Sequence, residues 1–225
     1  MTYAYSQTIE KCLKDQKTNL DGLSGAEVSK RIVQYGENRL PEEKIPSVWL
    51  IFLSQFMSPL IYILLFAGVI TAYMEEYSGS IFIFAVLLIN AVIGAFQEYS
   101  ANHAAAALKK MSTSLARVKR DAAIQEIDAT KLVPGDIVLL ETGNKVPADL
   151  RLLEVTSLKV DESLLTGESR DVVKHIDVIS EEHINTAEQV NMAFAGSMVT
   201  HGRAIGVVVA TGLKTHMGDI AKRIT

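Results

Sequence analysis

Two long stretches of this chain carry no charge, and they constrain its fold more than any other feature. No charged side chain occurs from Ile45 to Met74, and a second uncharged stretch runs from Tyr77 to Gln97. Their centres read WLIFLSQFMSPLIYILLFAGVITAY (Trp49 to Tyr73) and SIFIFAVLLINAVIGAFQ. A helix needs about 20 mainly apolar residues to cross the hydrocarbon core of a bilayer, and each stretch reaches that length. One such helix could be the core of a soluble protein. Two in tandem, joined by a turn whose only charges are Glu75 and Glu76, predict a transmembrane hairpin with spans over 48–73 and 78–98. Pro59 lacks a backbone donor, which predicts a kink in the first span. Asn90 and Gln97 are expected to hydrogen-bond between helices, with a place on an ion route as the alternative. Neither span has a carboxylate at mid-depth.

The flanks give an orientation. Lys30, Arg31, Arg39 and Lys44 precede the first span, and Lys109, Lys110, Arg117, Lys119 and Arg120 follow the second. The connecting turn has no Lys or Arg, so both ends are expected in the cytoplasm, with the plasma membrane as the expected location. Outside the spans the chain is ordinary in charge. Its formal net charge of -4 argues against a nucleic-acid partner. Cys12 is the only cysteine, which excludes an intramolecular disulfide and a Cys-rich metal module.

Before the hairpin, residues 1–44 form an N-terminal cytoplasmic region. Ser24 and Glu27 have the spacing of a capping box, Val28 and Ile32 give one apolar face, and Gly36 is placed to end that helix. The hairpin occupies 45–99. Ala101 to Met111 is rich in helix formers, so 100–111 is expected to prolong the second span as a stiff cytoplasmic stalk. In 112–225 short apolar runs alternate with Gly and Pro turns: Ala116–Lys119, Ile124–Ile127, Asp136–Leu140, Leu150–Val155, Phe194–Val199 and Ile205–Ala210. This pattern predicts a small all-β domain, a distorted sandwich or jelly roll, with Lys174–Glu188 as a surface excursion. The fold class is therefore mixed: a helical membrane hairpin, N-terminal helices and a β domain. Met217–Thr225 reads as the start of another helix. No Walker loop, HExxH or Gly-x-Gly-x-x-Gly element occurs.

One segment carries chemistry: Asp161-Glu162-Ser163-Leu164-Leu165-Thr166-Gly167-Glu168-Ser169. It resembles the actuator-domain signature of the P-type cation-transporting ATPases, whose core is Thr-Gly-Glu-Ser. The likeness extends over nearly the whole chain, in the family's order. It includes Gly36, Asn38, Leu40 and Pro41; Asn90 to Met111; Pro134-Gly135-Asp136; Val146-Pro147-Ala148-Asp149; Asn191 to Gly196; and Ala210-Thr211-Gly212 with Thr215. Two positions depart from the pattern. Asp171 stands where a proline is usual, which implies a looser turn, and Ala204 stands where glycine is common.

The resemblance implies that Glu168 positions and activates the water that hydrolyses an aspartyl phosphate. Gly167 would admit the phosphate closely, Thr166 and Ser169 would shape the loop, and Asp161 and Glu162 would hold it. It also implies that rotation of the domain couples hydrolysis to gating. With no mid-depth carboxylate in either span, the main ligands of a transported ion would lie on other helices. The family's phosphorylated Asp-Lys-Thr-Gly-Thr does not occur in this sequence, so the chain alone is not expected to hydrolyse ATP. ATP and Mg2+ are expected for the complete pump, with no cofactor or metal site in this chain. Its expected partners are the bilayer, the phosphorylation, nucleotide-binding and remaining membrane domains, and the transported cation. The calcium, sodium or magnesium branch fits best, with calcium favoured. The alternative is a truncated, non-catalytic membrane protein with a regulatory or interaction role.

Overall fold

The computed structural model describes residues 3–40, 46–111, 114–167, 170–181 and 184–224. They fall into two compact units: one drawn from both ends of the chain (3–40 and 114–224), the other from its middle (46–111).

The N-terminal segment contributes two helices, α1 (Ile9–Asp15) and α2 (Gly25–Tyr35). Thr8 caps α1 and Ser24 caps α2, each hydroxyl accepting from the amide three residues on. Only that half of the expected capping box forms, because the Glu27 carboxylate accepts from Arg31 Nε instead, at 2.9 Å. Gly36 ends α2 with φ +79°, a conformation that favours glycine. The opening residues look polar in sequence, yet Ile9, Cys12 and Leu13 gather on one side of α1 and pack on the sheet. Burial there pushes the Cys12 thiol up to about 11, so at neutral pH it is a small core residue.

The middle unit is helical: α3 (Val48–Ser54), a 3-10 turn at Gln55–Met57, α4 (Pro59–Tyr73) and α5 (Tyr77–Met111). The first apolar stretch is broken rather than kinked. Val48–Met57 and Pro59–Tyr73 lie at 73° to each other. Ser58 is extended (ψ 135°), as the ring of a following proline demands, and Pro59 starts a new helix at its first position. At 1.5 Å per residue α4 is about 22 Å long, short of the roughly 30 Å hydrocarbon core, whereas α5 reaches about 52 Å. Among the described residues, Tyr77–Leu108 is the one helix able to cross a membrane unaided; α3, its turn and α4 qualify together as a second, bent span. Gly68 lets α4 approach α5, since a Cβ there would lie 3.2 Å from Phe84, and Ser80 Oγ donates to the Gly68 carbonyl at 2.9 Å.

The remaining strands are β1 (Leu115–Arg120), β2 (Ala123–Asp128), β3 (Ile137–Glu141), β4 (Asp149–Asp161), β5 (Asp171–Val173), β6 (Met192–Ala193) and β7 (Met198–Ala210), with α6 (Ser163–Thr166) after β4 and α7 (His216–Ile224) at the end. They form one open antiparallel sheet in the order β2-β1-β3-β7-β4-β5, with β6 against β4. One face carries the main core, including Val118, Val138, Leu140, Leu150, Leu152 and Val208. The other sets Ile137, Leu153 and Val207 against α1. β4 and β7 run well beyond the apolar runs that predicted them, and their pairing shifts register four times. Past Val155 the pattern of inward residues is interrupted by exposed Thr156 and Ser157, which hides the strand from a hydropathy reading. The run Phe194–Val199, expected as a strand, contains a turn at Ala195–Gly196, with Gly196 at φ +93°. The expected excursion Lys174–Glu188 begins inward, because Lys174 is buried.

Long-range polar joins tie this unit together. Arg31 Nη1 donates to the Gln16 and Pro134 carbonyls, and Nη2 to that of Lys17. Asn38 Nδ2 donates to the Ala129 and Pro147 carbonyls while its Oδ1 accepts from Gly212 N. Arg120 grips Asp136 with two bonds, at 2.8 and 2.6 Å, and Asp136 also accepts from Val133 N. Arg151, inside an apolar strand, donates to the carbonyls of Leu152, Asn191, Gln7 and Ile176. The turn motifs Pro-Gly-Asp and Pro-Ala-Asp are thus structural joints, their aspartates acting as buried acceptors.

Candidate functional site

The candidate loop leaves the sheet at the end of β4 and returns to it at β5. Asp161 Oδ1 accepts from Ser163 N at 2.9 Å, and the backbone and side chain of Ser163 hold the Asp161 carboxyl below its ordinary range. The main-chain carbonyl of Glu162 then accepts three bonds: from Leu165 N (2.9 Å), Thr166 N (3.0 Å) and Thr166 Oγ1 (3.1 Å). This closes the single turn α6. Gly167 follows in the left-handed region (φ +74°), its N–H donating to the Ser163 carbonyl. Among the described residues nothing lies within 4 Å of the position a Cβ would take, while the backbone conformation itself favours glycine. Leu164 points outward and is 71% exposed. Glu168 and Ser169 lie outside the described residues.

On the return side, Asp171 pairs with Asp161, Val172 with Val160 and Val173 with Lys159. Asp171 accepts from Thr200 Oγ1 at 2.8 Å, so its carboxylate is engaged with β7. Ala204 is buried against the main core.

At the two ends of the loop stands a pair of charges: Glu162, which the resemblance implies holds the loop, and Lys174, which has no signal in the sequence. Glu162 and Lys174 have fully buried side chains and meet at 2.5 Å. Burial raises the Glu162 carboxyl and lowers the Lys174 ammonium, and their attraction opposes both shifts. The Lys174 ammonium also lies 5.6 Å from the centroid of the Phe194 ring, which in turn meets the His216 ring edge-on. His216 N and Nδ1 both approach Asp149 Oδ2, at 2.8 and 3.1 Å, while Asp149 Oδ1 accepts from Ala195 N. The hydrogen bond to Asp149 raises the pKa of His216. Of the four predicted site residues, the described ones are Thr166 and Gly167, adjacent at the turn. Among the described residues no group of three or more His, Cys, Asp or Glu side chains converges.

A family model for the P-type ATPase actuator domain matches residues 110–225, and one for the N-terminus of cation transporter/ATPases matches residues 4–71. The chain belongs to the P-type ATPase family. Within that family it comprises the cation-transporter N-terminal region and the actuator domain. It is 42% identical to calcium-transporting ATPase 1 of Bacillus cereus over 98% of this chain and 26% of that protein. It is 48% identical to a cation-transporting ATPase of Synechocystis over 89% of this chain and 22% of that protein. A calcium-transporting ATPase of Listeria monocytogenes is 43% identical over 89% of this chain and 23% of its own length. The chain thus spans about a quarter of the length of these relatives.

Proposed function

We propose that this chain supplies the N-terminal region, the first membrane hairpin and the actuator domain of an ATP-driven cation pump. In this reading Glu168 serves the hydrolysis of the aspartyl-phosphate intermediate. Water attacks the phosphorus and passes a proton to the Glu168 carboxylate. The bond from phosphorus to the aspartyl oxygen breaks, releasing a free aspartate and inorganic phosphate. The phosphorylated aspartate, ATP and Mg2+ belong to parts of the pump outside this chain. The observation that carries the proposal is the anchorage of the signature loop. The turn centred on Glu162 and the β4–β5 ladder hold both sides of Thr166–Ser169, as a loop that must deliver one carboxylate requires.

Calcium is the proposed cargo, supported by the names of the Bacillus and Listeria relatives. Both ends of the hairpin are proposed to be cytoplasmic, following the distribution of Lys and Arg, and the plasma membrane is proposed as its location. The test is brief incubation of native membranes with labelled ATP, an acidic gel, and antibody to residues 112–225. The expected result is a band much larger than this chain, carrying acid-stable label. In that protein Glu168→Ala should leave phosphoenzyme formation intact and slow its breakdown by about a hundredfold or more. Normal breakdown would remove Glu168 from this role.

A further inference from the structure

The Glu162–Lys174 pair is unusual in its isolation. Both side chains are fully buried, and among the described residues no other hydrogen-bonding partner reaches either head group. A buried ion pair without supporting bonds adds little stability, since apolar residues of like volume often do as well. Its position suggests a different use. Glu162 directly follows β4 and Lys174 directly follows β5, so the contact spans the base of the eleven residues 163–173 that carry the signature. The residue pinned by Lys174 is also the one whose carbonyl gathers Leu165 N, Thr166 N and Thr166 Oγ1. Lys174 is fixed in turn, its N–H donating to the Leu158 carbonyl on β4.

We propose that Glu162 and Lys174 are positioning residues for Glu168, their ion pair locking the departing and returning ends of the actuator loop in one register. This rests on the role given to Glu168 above. An apolar contact tolerates sliding, whereas two fully buried charges lose their compensation as soon as they part, so the pair favours a single relative placement of the loop ends. Lys174 lies over the Phe194 ring, which meets the His216 ring, and among the described residues Glu162 is the one carboxylate that acts on Lys174.

The test uses the pump that carries this chain, in membranes, and compares Lys174→Met, the double variant Glu162→Leu/Lys174→Met, and Glu168→Gln. Phosphoenzyme formation from labelled ATP and its decay in a chase are read separately. The double variant leaves no unpaired charge, so it should form phosphoenzyme as the parent does, yet decay about tenfold more slowly because the loop is held less closely. Lys174→Met alone should decay at least as slowly. Parental decay in the double variant would overturn the proposal. So would loss of phosphoenzyme formation in it, which would make the pair part of the scaffold. If Glu168→Gln itself decays normally, the role of Glu168 fails; if Glu168→Gln stalls while the double variant decays normally, only the positioning role fails.

Discussion

The sheet unit and the helical unit handle polar groups in opposite ways. In the helical unit the backbone satisfies itself within each helix, and the few side-chain bonds are modest: Ser80 to the Gly68 carbonyl, Thr71 to Ala67, Gln55 to Glu98. Its large apolar residues, among them Leu60, Phe66, Ile81 and Phe82, face outward. The sheet unit instead buries charge wherever distant segments meet: Arg31 under Pro134, Arg120 on Asp136, Arg151 among four carbonyls, Lys174 on Glu162. Hydropathy thus specifies the first unit, while the second depends on polar joints that must all be completed together.

That contrast can be broken by substitution. The largest effect is expected from Asp136→Ala, which strands the buried Arg120 and should cost the sheet unit about 3–5 kcal/mol. Urea titration in detergent, followed by far-ultraviolet circular dichroism, reads this, and a loss below about 1 kcal/mol would end the claim that buried joints hold the unit. Ser80→Ala in the helical unit should cost only about 0.6 kcal/mol. Trp49 is the single tryptophan and lies in α3, so its fluorescence reports that unit alone. The smallest effect sharpens the comparison by pH. His216 has a raised pKa in the folded chain, so its link to Asp149 stabilises fully below the unfolded value of about 6.5 and fades as pH rises through the folded value. The advantage in melting temperature over His216→Gln should therefore shrink as pH rises above about 6.5, and a growing advantage would contradict the assignment.

Legibility in the sequence follows the same divide. The two apolar stretches announce the helices because little besides a membrane span calls for an uncharged run of bilayer length, and the proline at 59 marks where the first one breaks. What composition cannot convey is the size of that break, which depends on Ser58 taking an extended conformation. In the sheet unit the turns at Pro134–Asp136 and Pro147–Asp149 stand out, and the signature loop is readable by its resemblance. Lys174 and Arg151 are not, because a charged residue is buried only when its partner arrives from elsewhere in the chain, and no local pattern records that meeting. Helix α1 is hidden for a related reason: its apolar side is just Ile9, Cys12 and Leu13, and its surroundings are polar.

The joints between the chain's two ends have a consequence for its birth on the ribosome. The Tyr5 carbonyl finds its partner in Asn191, 186 positions later, and Asn38 waits for Gly212 across 174. At about 5–20 residues per second, α1 emerges roughly ten to forty seconds before β7, the last of the strands it packs on. Throughout that interval Ile9, Cys12 and Leu13 do not yet have all of these strands to rest on. Segment 3–40 is therefore made well before the strands and loops it packs on, and its packing can be completed only after they have emerged.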